Sequence, residues 1–256
     1  MTAPRIYFPQ KMQEGDRVKL GSEDLHYIKT VLRLKREDTL ILFSGMGLEY
    51  EAVVRDFTTQ DLILEITKEK KTKIDDSIRI TLAQALPKGN KMDFIIRKAS
   101  ELGVSRIIPF ISSRSIPRPS GDRVPLKISR WQKIAVEASR KCGRGNILEI
   151  TDIVTCNGVL QRPEDKFLKI IFWEEESSAG IKEILRDKKY EGTTDFFIIV
   201  GPEGGFSRKE VEMACRAGFL SASLGGLVLV VETAVLVILS ILQYEKGNFD
   251  VTAKKE

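Results

Sequence analysis

The sequence predicts an α/β domain with a mostly parallel sheet, preceded by a small β-rich domain. Three observations carry that reading. Over roughly the first 70 residues, short apolar runs are punctuated by glycine turns. From Ile78 onward, strand-like and helix-like segments alternate. Near the C-terminal end, two glycine turns follow apolar runs, at Gly201-Pro202-Glu203-Gly204-Gly205 and at Leu224-Gly225-Gly226.

The elements follow in chain order. Asp24 to Arg33 is expected to form a short helix. Thr39–Phe43 reads as a strand, Ser44–Gly47 as a turn, Leu48–Arg55 as the partner strand and Leu62–Ile66 as another, together a small barrel. The charged run Lys68–Lys73 lacks periodicity and is expected to be a linker, which places the domains at 1–73 and 74–256. Ile78–Ala83 is the first strand of the second domain. Met92, Ile95, Ile96, Ala99 and Leu102 then recur with helical spacing, and Gly103 ends the helix. Arg106–Phe110 is a strand. Prolines and arginines make Ile111–Pro125 a loop, and Lys127–Cys142 is a helix with Trp131, Ile134, Ala135 and Ala138 on one face. Phe167–Trp173, Asp195–Val200 and Phe219–Ser223 supply further strands. After the turn at Gly201, Ser207 and Glu210 have the spacing of a capping box. The longest apolar run, Leu227–Leu242, is interrupted by Glu232 and Thr233. It falls short of the ~20 residues a spanning helix needs and reads as a loop or strand followed by a buried helix.

Composition narrows the function. The chain carries a net charge of +5, but residues 88–144 alone hold 14 Lys/Arg against 4 Asp/Glu. A positive field concentrated in one segment suits a phosphate backbone, and Arg114, Arg118, Arg130, Arg140 and Arg144 are its candidates for phosphate contact. Cys142, Cys156 and Cys215 show neither disulfide nor zinc spacing. With no apolar leader after Met1, this points to a reducing cytoplasm and to no membrane. No His/Cys/Asp/Glu group has ligand spacing, so no metal is expected. His26, the single histidine, has no Gly-x-Ser-x-Gly elbow to serve, which disfavours a hydrolase. The glycine turns fit neither GxGxxG nor a P-loop, which disfavours a dinucleotide oxidoreductase and an NTPase. Glycine turns at the carboxyl ends of strands mark a small-molecule site built from backbone. Trp173-Glu174-Glu175-Glu176 is either a solvated acidic loop or a source of acceptors for a ligand's amine and hydroxyls.

These pieces resemble the RsmE methyltransferases of the SPOUT class. Gly201-Pro202-Glu203-Gly204-Gly205-Phe206-Ser207, followed by Leu224-Gly225 and Glu232-Thr233-Ala234, carries the likeness. Arg5 and Phe8, His26 to Arg33, Gln84, Lys88, Gly89, Met92, Lys98–Val104, Arg114-Ser115, Arg130–Ile134 and Glu137-Ala138 extend it in the same order. The resemblance implies a PUA-like N-terminal barrel, a C-terminal domain with a trefoil knot, a homodimer, and methylation of uracil N3 in 16S ribosomal RNA of the small ribosomal subunit. It implies S-adenosyl-L-methionine held by Phe172, Trp173 and Glu174, by Gly201, Pro202, Glu203, Gly204 and Gly205, and by Leu224, Gly225, Leu229, Glu232, Thr233 and Ala234. Arg5, Arg33, Lys88 and Lys98 join the RNA-binding candidates. N3 must lose its proton, either to solvent or to a carboxylate such as Glu203 or Glu232. The chain departs from the pattern where two loop arginines are replaced by Leu227 and Val230, and a glutamine by Lys141. That departure keeps open an alternative, a non-catalytic RNA-binding protein on the same fold.

Overall fold

The computed structural model describes residues 3–72, 77–162, 166–246 and 249. The chain divides into two compact units, Met1–Ile74 with Ser139–Ile147, and Asp75–Ala138 with Leu148–Glu256.

In the first unit, β1 (Arg5–Tyr7), β2 (Arg17–Leu20), β3 (Thr39–Phe43), β4 (Leu48–Phe57) and β5 (Leu62–Lys71) form one sheet in the order β1-β3-β4-β5-β2. β1 runs parallel to β3 and the other neighbours are antiparallel. Between β2 and β3 come α1 (Ser22–Tyr27) and a single π turn, Ile28–Leu32. Alternation builds the core: Leu62, Leu64 and Ile66 of β5 point inward, onto Leu40, Leu42, Tyr50, Ala52 and Val54. Register shifts at Glu51/Ala52 and Val54/Asp56 bend the β4–β5 pair. Asn146 bridges to Gly45 and Met46, which ties the 139–147 segment to this sheet.

Lys68–Lys71 is not a linker but the continuation of β5. The run looked aperiodic because its charges read as solvated, yet Lys68 lies opposite Glu51 and Lys70 opposite Glu49. Opposite charges across a ladder stabilise a strand pair by about 0.2–1 kcal/mol each. Lys73 lies outside the described residues.

The second unit alternates as expected: β6 (Arg79–Ala85), α2 (Lys91–Glu101), β7 (Arg106–Ile111), α3 (Arg123–Cys142), β8 (Glu149–Ile150), β9 (Val154–Thr155), α4 (Cys156–Leu160), β10 (Leu168–Phe172), α5 (Ile181–Arg186), β11 (Asp195–Val200), α6 (Arg208–Arg216), β12 (Leu220–Ala222) and α7 (Val231–Glu245). The sheet order is β12-β10-β11-β6-β7-β8, β9 also pairs with β7, and every ladder is parallel. Phe196–Val200 of β11 are all buried, the continuous apolar run of a strand covered on both faces. On α2 the stripe Met92, Ile95, Ile96 and Ala99 is buried, and Gly103, at φ +81°, turns the chain away. α3 begins at Arg123, earlier than the sequence pattern indicated. Pro125 falls in its first turn, where a missing N–H leaves no helical bond unmade. The long apolar run resolves into a loop up to Val230 and then α7, which buries Val235, Ile238, Leu239 and Leu242. Among the described residues, no helix is long and apolar enough to cross a membrane.

Candidate functional site

The register of three strands creates the site. Phe172 of β10 pairs with Val200 of β11 on one side and with Ala222 of β12 on the other, so the three strands end level. The segments that leave them therefore start from one edge, the carboxyl edge of a parallel sheet, where ligands bind in such folds. Together they enclose a cavity of about 590 Å³. Its walls come from Phe172 to Gly180, from Val200 to Gly205, and from Ala222 to Leu229, with Glu183 at the start of α5 and Val231 and Ala234 at the start of α7.

Local bonds hold each wall. Trp173 N–H donates to the Ala222 carbonyl (3.1 Å), Ser223 N–H to Ala179 (2.8 Å) and Ile181 N–H to Ser223 (3.2 Å), which laces the first wall to the third. The turn after β11 closes with Gly205 N–H donating to the Pro202 carbonyl at 2.9 Å. Gly205 has φ +66°, and a Cβ there would fall on the Glu174 carboxylate, so both conformation and space demand glycine. Buried Gln84 donates to the Gly201 carbonyl (3.2 Å), and exposed Arg114 donates to that of Gly204 (2.8 Å). Phe206 stacks on Phe110 with ring centroids 6.4 Å apart, which fastens the end of the turn to the core. The capping box forms as expected: Ser207 N–H donates to Glu210 Oε2 at 3.0 Å, and Glu210 N–H to Ser207 Oγ at 3.4 Å. Glu210 also accepts from Ser113 N–H (2.7 Å) and Ser113 Oγ (2.6 Å). Burial pushes the Glu210 pKa up, but these donors outweigh it and hold the group below its ordinary value.

Of the residues singled out from the sequence, Phe172, Trp173, Glu174, Gly201, Pro202, Gly205, Leu224, Gly225, Leu229 and Ala234 line this cavity. Glu203, Gly204, Glu232 and Thr233 are not part of the lining. Glu203 and Glu232 instead share the Lys91 ammonium, at 3.1 and 3.3 Å. Burial pushes the Glu203 pKa up; its own amide, Lys91 and the Lys88 amide together bring it below the usual carboxylate value.

The resemblance ends the first wall at Glu174, yet Glu176 to Gly180 and Glu183 also line the cavity. Glu176 accepts from Ser178 Oγ (2.5 Å) and Ser178 N–H (2.8 Å), and these bonds draw its pKa down to about 2. Glu183 accepts from Gly180 N–H at 2.9 Å. Ser177, Ser178 and Gly180 are a cluster of turn residues, a signal that would have extended this wall. The lining thus contains the carboxylates Glu174, Glu176 and Glu183 and no Lys or Arg. Leu227 and Val228, at the rim, are 79% and 92% exposed.

The basic candidates separate by environment. Arg33, Lys88, Arg114, Arg118 and Arg130 are exposed, and Arg130 pairs with Asp93. Lys98 pairs with Glu101 at 2.6 Å. Arg5 is engaged inside the first unit: it pairs with Glu49, donates to the Arg144 carbonyl (3.1 Å) and lies over the Phe43 ring. Arg140 stacks over the Tyr27 ring at 4.7 Å. Among the described residues, no group of His, Cys, Asp or Glu could hold a metal ion.

Residues 75–243 match a family described as RNA methyltransferase domain, and residues 20–67 match one described as RNA methyltransferase PUA domain. The Ribosomal RNA small subunit methyltransferase E of Bacillus subtilis is 30% identical over 92% of this chain and 93% of its own length. The protein of the same name from Rickettsia conorii is 33% identical over 91% of each chain. Among solved structures, the Neisseria gonorrhoeae Ribosomal RNA small subunit methyltransferase E bound to S-adenosyl methionine is 30% identical, with a TM-score of 0.86, covering 94% of this chain and 97% of that one. A Legionella pneumophila structure in complex with SAM has the same identity and TM-score, covering 95% of this chain and 98% of the other.

Proposed function

The chain belongs to the Ribosomal RNA small subunit methyltransferase E family, and from that premise we propose that it methylates N3 of a uridine in 16S ribosomal RNA with S-adenosylmethionine as donor. The observation that carries the reading is the cavity itself, bounded by three backbone-rich loops at the level ends of β10, β11 and β12.

The lining fits this donor. Phe172, Trp173, Leu224 and Leu229 offer apolar surface to an adenine, the glycines let backbone amides and carbonyls approach closely, and carboxylates without a counter-cation suit a ligand that carries a sulfonium and an ammonium. Glu176 is drawn down to about 2 by Ser178, so it stays ionised at neutral pH. When bound, the donor supplies a methyl group already activated on its sulfonium.

What the protein adds is placement. The target base has to leave its stack to reach the cavity mouth. Leu227 and Val228 line that mouth with aliphatic surface, against which a flipped pyrimidine loses water. Arg114 is anchored by the carbonyl of Gly204, next in the chain to the lining residue Gly205, so a phosphate on its guanidinium would be held near the methyl donor. Glu203 and Glu232 are engaged by Lys91 outside the lining, and we therefore assign the N3 proton to solvent. RNA contact by Arg33, Lys88, Arg118 and Arg130 belongs to the same proposal and is supported by the exposure of those side chains, while the trefoil knot, the homodimer and a cytoplasmic location belong to it on the family's pattern.

The test is turnover. Purified protein with S-adenosylmethionine and unmethylated small ribosomal subunits is expected to yield N3-methyluridine by mass spectrometry. Donor binding by calorimetry without any methylated product would overturn the enzyme reading in favour of an RNA-binding protein.

A further inference from the structure

Lys91 opens α2 and carries one charge between two carboxylates from different parts of the chain. Its Nζ lies 3.1 Å from Glu203 Oε1, in the turn after β11, and 3.3 Å from Glu232 Oε2, in the first turn of α7. All three side chains are substantially covered, at 32% exposed for Lys91 and 24% for each glutamate. Glu203 has a second anchor in the Lys88 amide, at 3.0 and 3.3 Å to its two oxygens. Glu232 Oε2 is buried and accepts no hydrogen bond of good geometry, so the Lys91 charge is what offsets its burial. Glu203 raises the Lys91 pKa, burial opposes that and Glu232 adds to it, so the ammonium stays charged.

The placement matters because both carboxylates are next to the walls of the cavity. Glu203 lies between the lining residues Pro202 and Gly205, and Glu232 between Val231 and Ala234. The far end of the same helix pair is fastened too: Gln243 of α7 donates to the Leu102 carbonyl at the end of α2, at 2.6 Å. α2 and α7 therefore pack side by side in the same direction, with an ionic contact at the cavity end and a neutral one at the other.

We propose that Lys91 is a positioning residue of the donor site: it pins the turn after β11 to the start of α7 and so sets the gap between two walls of the cavity. Removing the ammonium does more than delete an attraction. It leaves two half-buried anions facing one another, and their repulsion spreads the walls. This role rests on the reading of the cavity as the S-adenosylmethionine site. It also gives Glu203 and Glu232 a task that needs neither to touch the reacting atoms.

The experiment uses the full chain and four variants, Lys91→Met, Lys91→Arg, Lys91→Met with Glu203→Gln, and Gln243→Leu. Calorimetry with S-adenosylmethionine is expected to find Lys91→Met weaker by roughly tenfold or more. Lys91→Arg should regain most of the affinity, and the double variant part of it, because one of the repelling charges is gone. Gln243→Leu should melt earlier while binding the donor nearly as well as the parent. Unchanged affinity in Lys91→Met overturns the proposal. So does an equal loss in Gln243→Leu with no rescue by arginine, which would mean that only general stability is involved. Amide hydrogen exchange without ligand supplies the independent reading. Protection of residues 201–206 and 224–234 should fall in Lys91→Met, and unchanged protection there overturns the proposal whatever the ligand. If the parent protein fails to bind S-adenosylmethionine, the reading of the cavity fails, and the exchange result still decides the role of Lys91.

Discussion

At the scale of single residues, the site depends on positions where only one chemistry fits. Gly205 combines φ +66° with the Glu174 carboxylate where a Cβ would be. Gly205→Ala is therefore expected to destabilise the protein by about 1–3 kcal/mol, from backbone strain and displacement of Glu174. It should also weaken S-adenosylmethionine binding, and a thermal melt with and without the donor measures both effects. Glu210 offers a prediction with a sign. Its folded pKa lies below the ordinary 4.5, the donors of Ser113 and Ser207 outweighing burial. A carboxylate with a depressed folded pKa stabilises the fold in full above its unfolded pKa and loses that contribution as pH falls through the folded value. Glu210→Gln should therefore be less stable than the parent at neutral pH, and the gap should close as urea titrations are taken well below pH 4.5. Glycines and caps were legible in the sequence because each rests on its immediate neighbours. Lys91 was not, since its partners Glu203 and Glu232 are remote in the chain and nothing local marks it.

At the scale of elements, local pattern and tertiary pairing agree for β11, α2 and α6 and part company in two places. An apolar run buried on both faces, a stripe at helical spacing and a capping box each declare themselves without knowledge of the rest. Strand β5 does not, because beyond Thr67 its side chains are charged and exposed, and what continues it is the ladder to its neighbour β4. A direct consequence is testable at Lys68, exposed and opposite Glu51. Lys68→Glu sets two like charges across the ladder and is expected to cost up to about 1 kcal/mol, restored by adding Glu51→Lys and weakened by salt. Denaturant melts of the two variants at low and high ionic strength would measure it, and a salt-independent loss would contradict the pairing. α3 differs for another reason: proline reads as a helix breaker, whereas within a first turn it removes no bond that a helix would make.

At the scale of the whole molecule, the second unit divides into a fixed sheet and the loops that leave its carboxyl edge. The glycine turns announced a ligand site, but not that their parent strands end level, since register is a property of the assembled sheet. The cavity is acidic in its lining, while the segment 88–144 holds 14 Lys/Arg against 4 Asp/Glu. On the proposed reading donor and RNA meet surfaces of opposite sign, and salt should separate them. RNA affinity is expected to fall steeply with salt, and S-adenosylmethionine affinity far less. Each phosphate contact of a single strand contributes about 0.7 to the slope of log K against log salt. Arg114 and Arg118 are both exposed, so Arg114→Gln with Arg118→Gln should flatten that slope by about 1.4 if each holds one phosphate, with donor affinity nearly unchanged. Arg5→Gln should behave differently, because its guanidinium is committed to Glu49 and the Arg144 carbonyl within the first unit. That variant is expected to melt earlier, while the salt slope, read at a temperature where it remains folded, changes little. A steeply reduced slope for Arg5→Gln, or an unaltered one for the Arg114/Arg118 pair, would show that the cations of the two units have been assigned to the wrong tasks.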